Sequence, residues 1–119
     1  MIRLLQIAFA AAAVFAFIMA LLPVEQAPEH GDKMQHLFAF VVLAGLSRLA
    51  FPWVPVPSLF AAMLAFGALI EVAQLIPGLN RQADAADLFT DLIGAAIGLA
   101  FASAAQWLAT RARVQSGQD

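Results

Sequence analysis

Four long apolar stretches, separated by short polar segments, set out the plan of this chain. Residues 4–22 form the first, with Gln6 as its only strongly polar member and Pro23 at its end. The second, about 34–51, carries His36 near its start and Arg48 near its end. Pro52, Pro55 and Pro57 follow as a stiff turn that cannot continue a helix. The third, about 58–76, is stopped by Pro77-Gly78, and the fourth, about 85–108, runs into Ala109-Thr110-Arg111-Ala112-Arg113 and a polar tail. A helix crossing the hydrocarbon core needs about 20 mostly apolar residues, so each run predicts a span. The expected fold is all-α, a four-helix transmembrane bundle in one domain, 1–119, because closed helices satisfy every backbone group in lipid.

Composition sharpens this picture. The chain is 63% apolar and 12% charged, whereas about a quarter of the residues in a soluble domain carry charge. With no cysteine, disulfides and thiolate metal sites are excluded. No basic patch is interleaved with aromatics, which argues against a nucleic-acid partner. The first run resembles a signal peptide in following Arg3. However, it is long for that role, and Gln26-Ala27-Pro28 is a poor cleavage site, so it is expected to remain as a span.

Lysine and arginine in short loops give the expected orientation. With the N-terminus cytoplasmic, Arg3, Arg48, Arg111 and Arg113 lie inside, and only Lys33 and Arg81 lie outside. Both termini are then cytoplasmic, and the first and third loops face the exterior or periplasm. Seven of the eight acidic residues and both histidines fall in 25–36, 71–74 and 81–91. The topology brings all three segments to one membrane face.

Asp32 and His36 are four residues apart and share a helix face, continued by Ala39 and Leu43. Asp32 reads as a helix N-cap and Lys33 as a chain that snorkels to the headgroups. Glu71 and Gln74 share a face of the third helix. Glu71 lies five residues inside Ile76, roughly 8 Å at 1.5 Å per residue. A carboxylate there is costly unless paired, hydrated or functional, and Arg81 and His36 are its candidate partners. In the fourth segment, Asp84, Asp87, Asp91, Gly94 and Gly98 fall within an arc of about 80°, continued by Ala102 and Ala105. Asp84 reads as a cap and Asp87 as a complement to the helix dipole; neither role explains Asp91. Gly94 and Gly98 read as helix packing.

Three kinds of chemistry suit such a set. Asp, Glu and His could hold a divalent cation, although none is predicted as a resident cofactor. His36 beside an acid could move protons. Arg81 and Lys33 could grip a phosphate. No activated serine or cysteine nucleophile is present, which leaves the catalytic residues, if any, unassigned.

The residues Asp32-Lys33-x-x-His36-x-Phe38-x-Phe40, Glu71-x-x-Gln74 and Arg81-x-x-Asp84-x-x-Asp87-x-x-x-Asp91-x-x-Gly94-x-x-x-Gly98 together resemble the VanZ-like family over about 31–100. The resemblance implies a small multi-pass protein of the bacterial plasma (inner) membrane and, more weakly, a role in the cell envelope. The family's namesake confers low-level teicoplanin resistance. Members commonly carry Asn where this chain has Asp91, so an acid here implies protonation or pairing with Arg81 or His36.

The leading expectation is a non-enzymatic membrane protein. Its outward polar cluster would engage membrane lipids, a lipid-linked cell-wall precursor headgroup or a glycopeptide. The alternative is a membrane-embedded enzyme for a lipid-linked substrate, with His36, Glu71 and Asp91 in acid/base or metal-ligand roles. An ion pathway is disfavoured because the interiors at 61–68 and 95–105 are dry. A purely structural ion-pair cluster is the plainest competitor.

Overall fold

The computed structural model describes residues 1–22, 29–79 and 83–117, apart from the side chains of 29–32. Four helices follow in chain order: α1 (Ile2–Leu21), α2 (Glu29–Ala50), α3 (Val56–Ala73) and α4 (Ala85–Gln115). The described residues contain no strand. The bundle measures 58 × 25 × 22 Å. α1, α3 and α4 are long and apolar enough to cross a membrane. α2 is not among these three, because its first two turns are polar.

Several boundaries differ from the sequence expectation, each for a local reason. α2 begins five residues before position 34, so Asp32 lies inside the first turn and is not the N-cap. α3 begins at Val56, with Pro57 in its first turn, where a missing amide costs nothing. It ends at Ala73 rather than 76, and Gly78 then turns the chain at φ 92°, a conformation open to glycine. Glu71 is therefore two residues from the end of its helix, shallower than the expected five. α4 runs on to Gln115, because Ala, Arg and Gln favour helix, and stops where Gly117 takes φ 71°. Arg111 lies over the Trp107 ring, 4.2 Å from its centroid, on this extension.

The tightest crossing is α2 on α4. A Cβ added at Gly98 would collide with the Val41 carbonyl oxygen, and one at Gly94 would stand 2.6 Å from the Leu37 carbonyl oxygen. Backbone contact this close needs both glycines. In lipid, where tails are as apolar as leucine, such close packing supplies much of the attraction between helices. The core around this seam is Phe40, Leu43, Ala44, Leu59, Met63, Ile70, Ala95 and Leu99. Ala102 extends the small-residue stripe into the core; Ala105 is exposed, contrary to the pattern reading. α1 is the loosest element. It buries no residue fully and rests on α2 and α3 through small side chains and two phenylalanines.

Large apolar side chains cover the outside of the bundle as well as filling its core. Phe15, Phe38, Phe89 and Phe101 are exposed, the last to 73%, while His36, Ser47, Gln74, Asp87 and Asp91 are buried. An exposed apolar belt around an apolar core that also encloses these polar side chains fits a bilayer as solvent.

Candidate functional site: a polar cluster at one end of the bundle

The start of α2, the end of α3 and the start of α4 meet at one end of the bundle, and their polar side chains meet with them. Asp84 is the N-cap of α4, accepting from the Ala86 amide at 2.9 Å. That amide, together with Lys33, holds the Asp84 carboxyl below the usual carboxylate range. Lys33 Nζ donates to Asp84 Oδ2 at 3.4 Å and to Asp87 Oδ1 at 3.5 Å. Lys33 thus clamps α2 to the first turn of α4. Asp87 is buried in that turn, where the positive end of the helix dipole favours it.

One turn deeper, His36 Nδ1 lies 2.9 Å from Asp91 Oδ1. The two are 8% and 0% exposed, so this is an interior pair. Space for it comes from α3: a Cβ at Gly67 would stand 3.1 Å from Asp91 Oδ2 and 3.0 Å from Leu88 Cδ1. Gly67 was not singled out from the sequence, because a lone glycine in an apolar run carries no pattern. Without a side chain there, α3 leaves room for the Asp91 carboxyl.

Glu71 is half-buried. Its Oε2 accepts from the Asp84 amide at 2.8 Å, tying the end of α3 to the start of α4. Gln74 is 2% exposed and donates from Nε2 to the Ala20 carbonyl at 2.9 Å, which brings α1 into the cluster. Among the described residues, Glu71 Oε1 and Gln74 Oε1 are buried acceptors with no donor. Arg81 and the Asp32 side chain lie outside the described residues. No three His, Asp or Glu side chains converge as metal ligands among the described residues.

The structure therefore assembles Lys33, His36, Glu71, Gln74, Asp84, Asp87 and Asp91 from three helices, with Gly94 and Gly98 fixing the approach of α2 to α4. Residues 5–106 match the family VanZ/LLP1. The chain belongs to this family. No curated protein and no solved structure matches it. The match covers α1 from Leu5 as well as the region that carries the quoted motifs, and it runs to Gln106 in α4. This VanZ-like membrane protein also has a polar feature at its other end that the motifs did not signal. Arg48 donates to Ser103 Oγ at 3.3 Å and to the Pro52 carbonyl at 2.9 Å. Gln106 and Gln6 donate to the carbonyls of Arg48 and Ala50 at 3.3 and 3.4 Å. Only Gln6 and Arg48 had stood out in the sequence, each as an isolated polar residue in an apolar run.

Proposed function

We propose that this VanZ-like protein works in the bacterial inner membrane as a multi-pass binding protein. Both its termini are cytoplasmic, and the polar cluster faces outward to engage the headgroup of an envelope lipid or lipid-linked cell-wall precursor. The observation that carries this reading is the buried His36–Asp91 pair, with acceptors on Glu71 and Gln74 that meet no donor among the described residues. Burying a carboxylate and leaving acceptors unmet both cost stability. A structural clamp alone needs neither, since Lys33, Asp84 and Asp87 already join the helices. A role in tolerance of envelope-targeting agents, teicoplanin among them, follows from headgroup engagement.

The test is the drug sensitivity of a null strain complemented with wild type, His36→Ala or Glu71→Gln, with membrane abundance measured in parallel. Wild type is expected to restore tolerance, and equally abundant variants to fail. Phenotypes that merely track abundance would sink the reading.

The 2.9 Å contact between His36 and Asp91 favours one second reading: acid/base catalysis on a lipid-linked substrate, with Asp91 orienting the imidazole. Purified protein would then turn over a polyprenyl or glycerophospholipid substrate, and His36→Ala would abolish that turnover. A panel without turnover rejects it.

A further inference from the structure

The hydrogen bonds at the Arg48 end set the height of everything beyond them. Gln6 of α1 and Gln106 of α4 donate to the carbonyls of Ala50 and Arg48, which levels three helices with one another. Arg3 lies about one turn further out along α1. α4 runs on from Gln106 to Gln115, about 14 Å of helix at 1.5 Å per residue. Measured along α4, Asp87 and Trp107 are about 30 Å apart, the thickness of a hydrocarbon core. With Asp87 at one edge of the bilayer, Trp107 therefore stands at the other, and Arg111 and Arg113 reach about 6 and 9 Å further, into the headgroups. The tryptophans agree with this level. Trp107 is 55% exposed, and Trp53, the chain's other tryptophan, is 65% exposed on the turn after α2. Tryptophan gathers at the membrane–water boundary.

The charges beyond that boundary have one sign. Arg3, Arg111 and Arg113 are exposed, and among the described residues no carboxylate lies at this end of the bundle. Arg48 is different, because Ser103 and the Pro52 carbonyl already engage it. Arg111 is held another way: its guanidinium carbon lies 4.2 Å from the centroid of the Trp107 ring, one helical turn back. Contact with the ring occupies a face of the guanidinium and fixes its plane. The N–H donors lie in that plane, in a fork that matches two phosphate oxygens.

We propose that Trp107 and Arg111 form a clasp for the phosphate of an anionic phospholipid, in the leaflet opposite the acidic cluster. Trp107 and the exposed Leu108 meet the upper acyl chain, and the stacked guanidinium meets the phosphate above it. The net charge of the lipid matters because a zwitterionic headgroup also brings an ammonium, which finds cations here and no carboxylate. Arg113 lies about 200° further round α4, so it adds to the local potential without sharing the clasp. This proposal uses the other end of the bundle and does not rest on the function proposed above.

The experiment reconstitutes the full chain carrying Trp53→Phe, which leaves Trp107 as the single tryptophan. The vesicles are phosphatidylcholine with a minor fraction of either phosphatidylglycerol or phosphatidylcholine brominated near the top of the acyl chains. Bromine quenches tryptophan on contact, so the fluorescence reads which lipid sits beside Trp107. Brominated phosphatidylglycerol is expected to quench with an apparent affinity about fivefold higher, the order of one arginine near a charged surface. Arg111→Gln should remove most of that preference. Arg113→Gln deletes the same charge at a similar depth, yet should lower the preference less than about twofold, because it leaves the clasp intact. Arg111→Lys keeps the charge and loses the flat fork, and should fall between wild type and Arg111→Gln. In wild type, about 1 M salt shortens the screening length to about 3 Å and should flatten the preference without any change of sequence.

Equal quenching by the two brominated lipids would overturn the proposal. Equal losses from Arg111→Gln and Arg113→Gln would also overturn it, by assigning the preference to diffuse charge. Relief of the quenching by soluble glycerol phosphate would move the site from a lipid to a free phosphate. His36→Ala should leave the lipid preference unchanged, so the fate of the acidic cluster and the fate of the clasp are read separately.

Discussion

The two ends of the bundle solve different problems with buried polar groups. At the Arg48 end every described contact is a donor meeting a neutral acceptor. Arg48 reaches the Pro52 carbonyl and the Ser103 hydroxyl, while Gln106 and Gln6 cover the last carbonyls of α2. A helix leaves its final carbonyls unsatisfied, so this end reads as capping by neighbouring helices. The opposite end gathers carboxylates on carboxylates, pairs one of them with an imidazole, and leaves two acceptors without donors. Among the described residues, one end has its donors and acceptors matched, whereas the other leaves acceptors on Glu71 and Gln74 unmet. The contrast marks the His36 end as a place for a ligand and the Arg48 end as a fastening.

The sharpest way to break this comparison is to remove the imidazole. His36→Ala leaves the fully buried Asp91 without that partner, a change that costs about 3 kcal/mol where a buried pair is broken. Chemical unfolding in detergent should show this loss, and His36→Leu/Asp91→Leu should recover most of it, because apolar replacement of both members of a buried pair is often neutral. The recovered double variant should still lack tolerance. A stable double variant that keeps tolerance would mean the acidic end is also only a fastening.

Next in size is a change in the seam shared by both ends. Gly98→Ala sets a methyl against the Val41 carbonyl, and backbone on both sides prevents cheap relief. A loss of about 2 kcal/mol is expected, as for overpacked cores. Hydrogen exchange should rise at both ends together, since α2 and α4 contribute to each. A rise confined to one end would show that the seam does not couple them.

Arg48→Met tests the fastening itself. Its acceptors lie near the bundle end, where water can replace the lost donors, so a cost of about 1 kcal/mol is expected. Tolerance should persist at normal abundance, in contrast to His36→Ala. Lost tolerance with normal abundance would give Arg48 a functional role.

Much of this contrast was legible in the sequence, and the illegible part has a physical cause. The 3.6-residue spacing of Asp84, Asp87, Asp91, Gly94 and Gly98 marks one face of α4, and all but Asp84 are buried there. Apolar length gave all four helices to within a few residues at most ends. The partners were less accessible. Glu71 was expected to meet Arg81 or His36, yet its described hydrogen bond is to a backbone amide, which no side-chain pattern announces. Gly67 contributes the absence of a side chain and Ala20 a backbone carbonyl, neither of which a side-chain pattern announces. The Arg48 knot depends on Ser103 and Gln106, two polar residues without a motif, brought near only by the crossing of α2 and α4.

The smallest effect concerns pH at the edge of the acidic end. Asp84 is the exposed member, and its carboxyl is held below the ordinary value of 3.8 first by the Ala86 amide and then by Lys33. The folded state therefore binds this proton less readily than the unfolded chain. Its contribution to stability is fully present above pH 3.8 and fades as pH falls through that value toward the lower folded one. In Asp84→Asn the cap survives through the amide oxygen, but the titration disappears. Unfolding curves of wild type and Asp84→Asn should accordingly converge as the pH is lowered from 6 to about 3. Added salt should narrow their separation at pH 6, because the Lys33 contribution is partly exposed and screened. A separation that does not change with pH would assign the role of Asp84 to cap geometry alone. The ionic clamp would then rest on Lys33 and the buried Asp87.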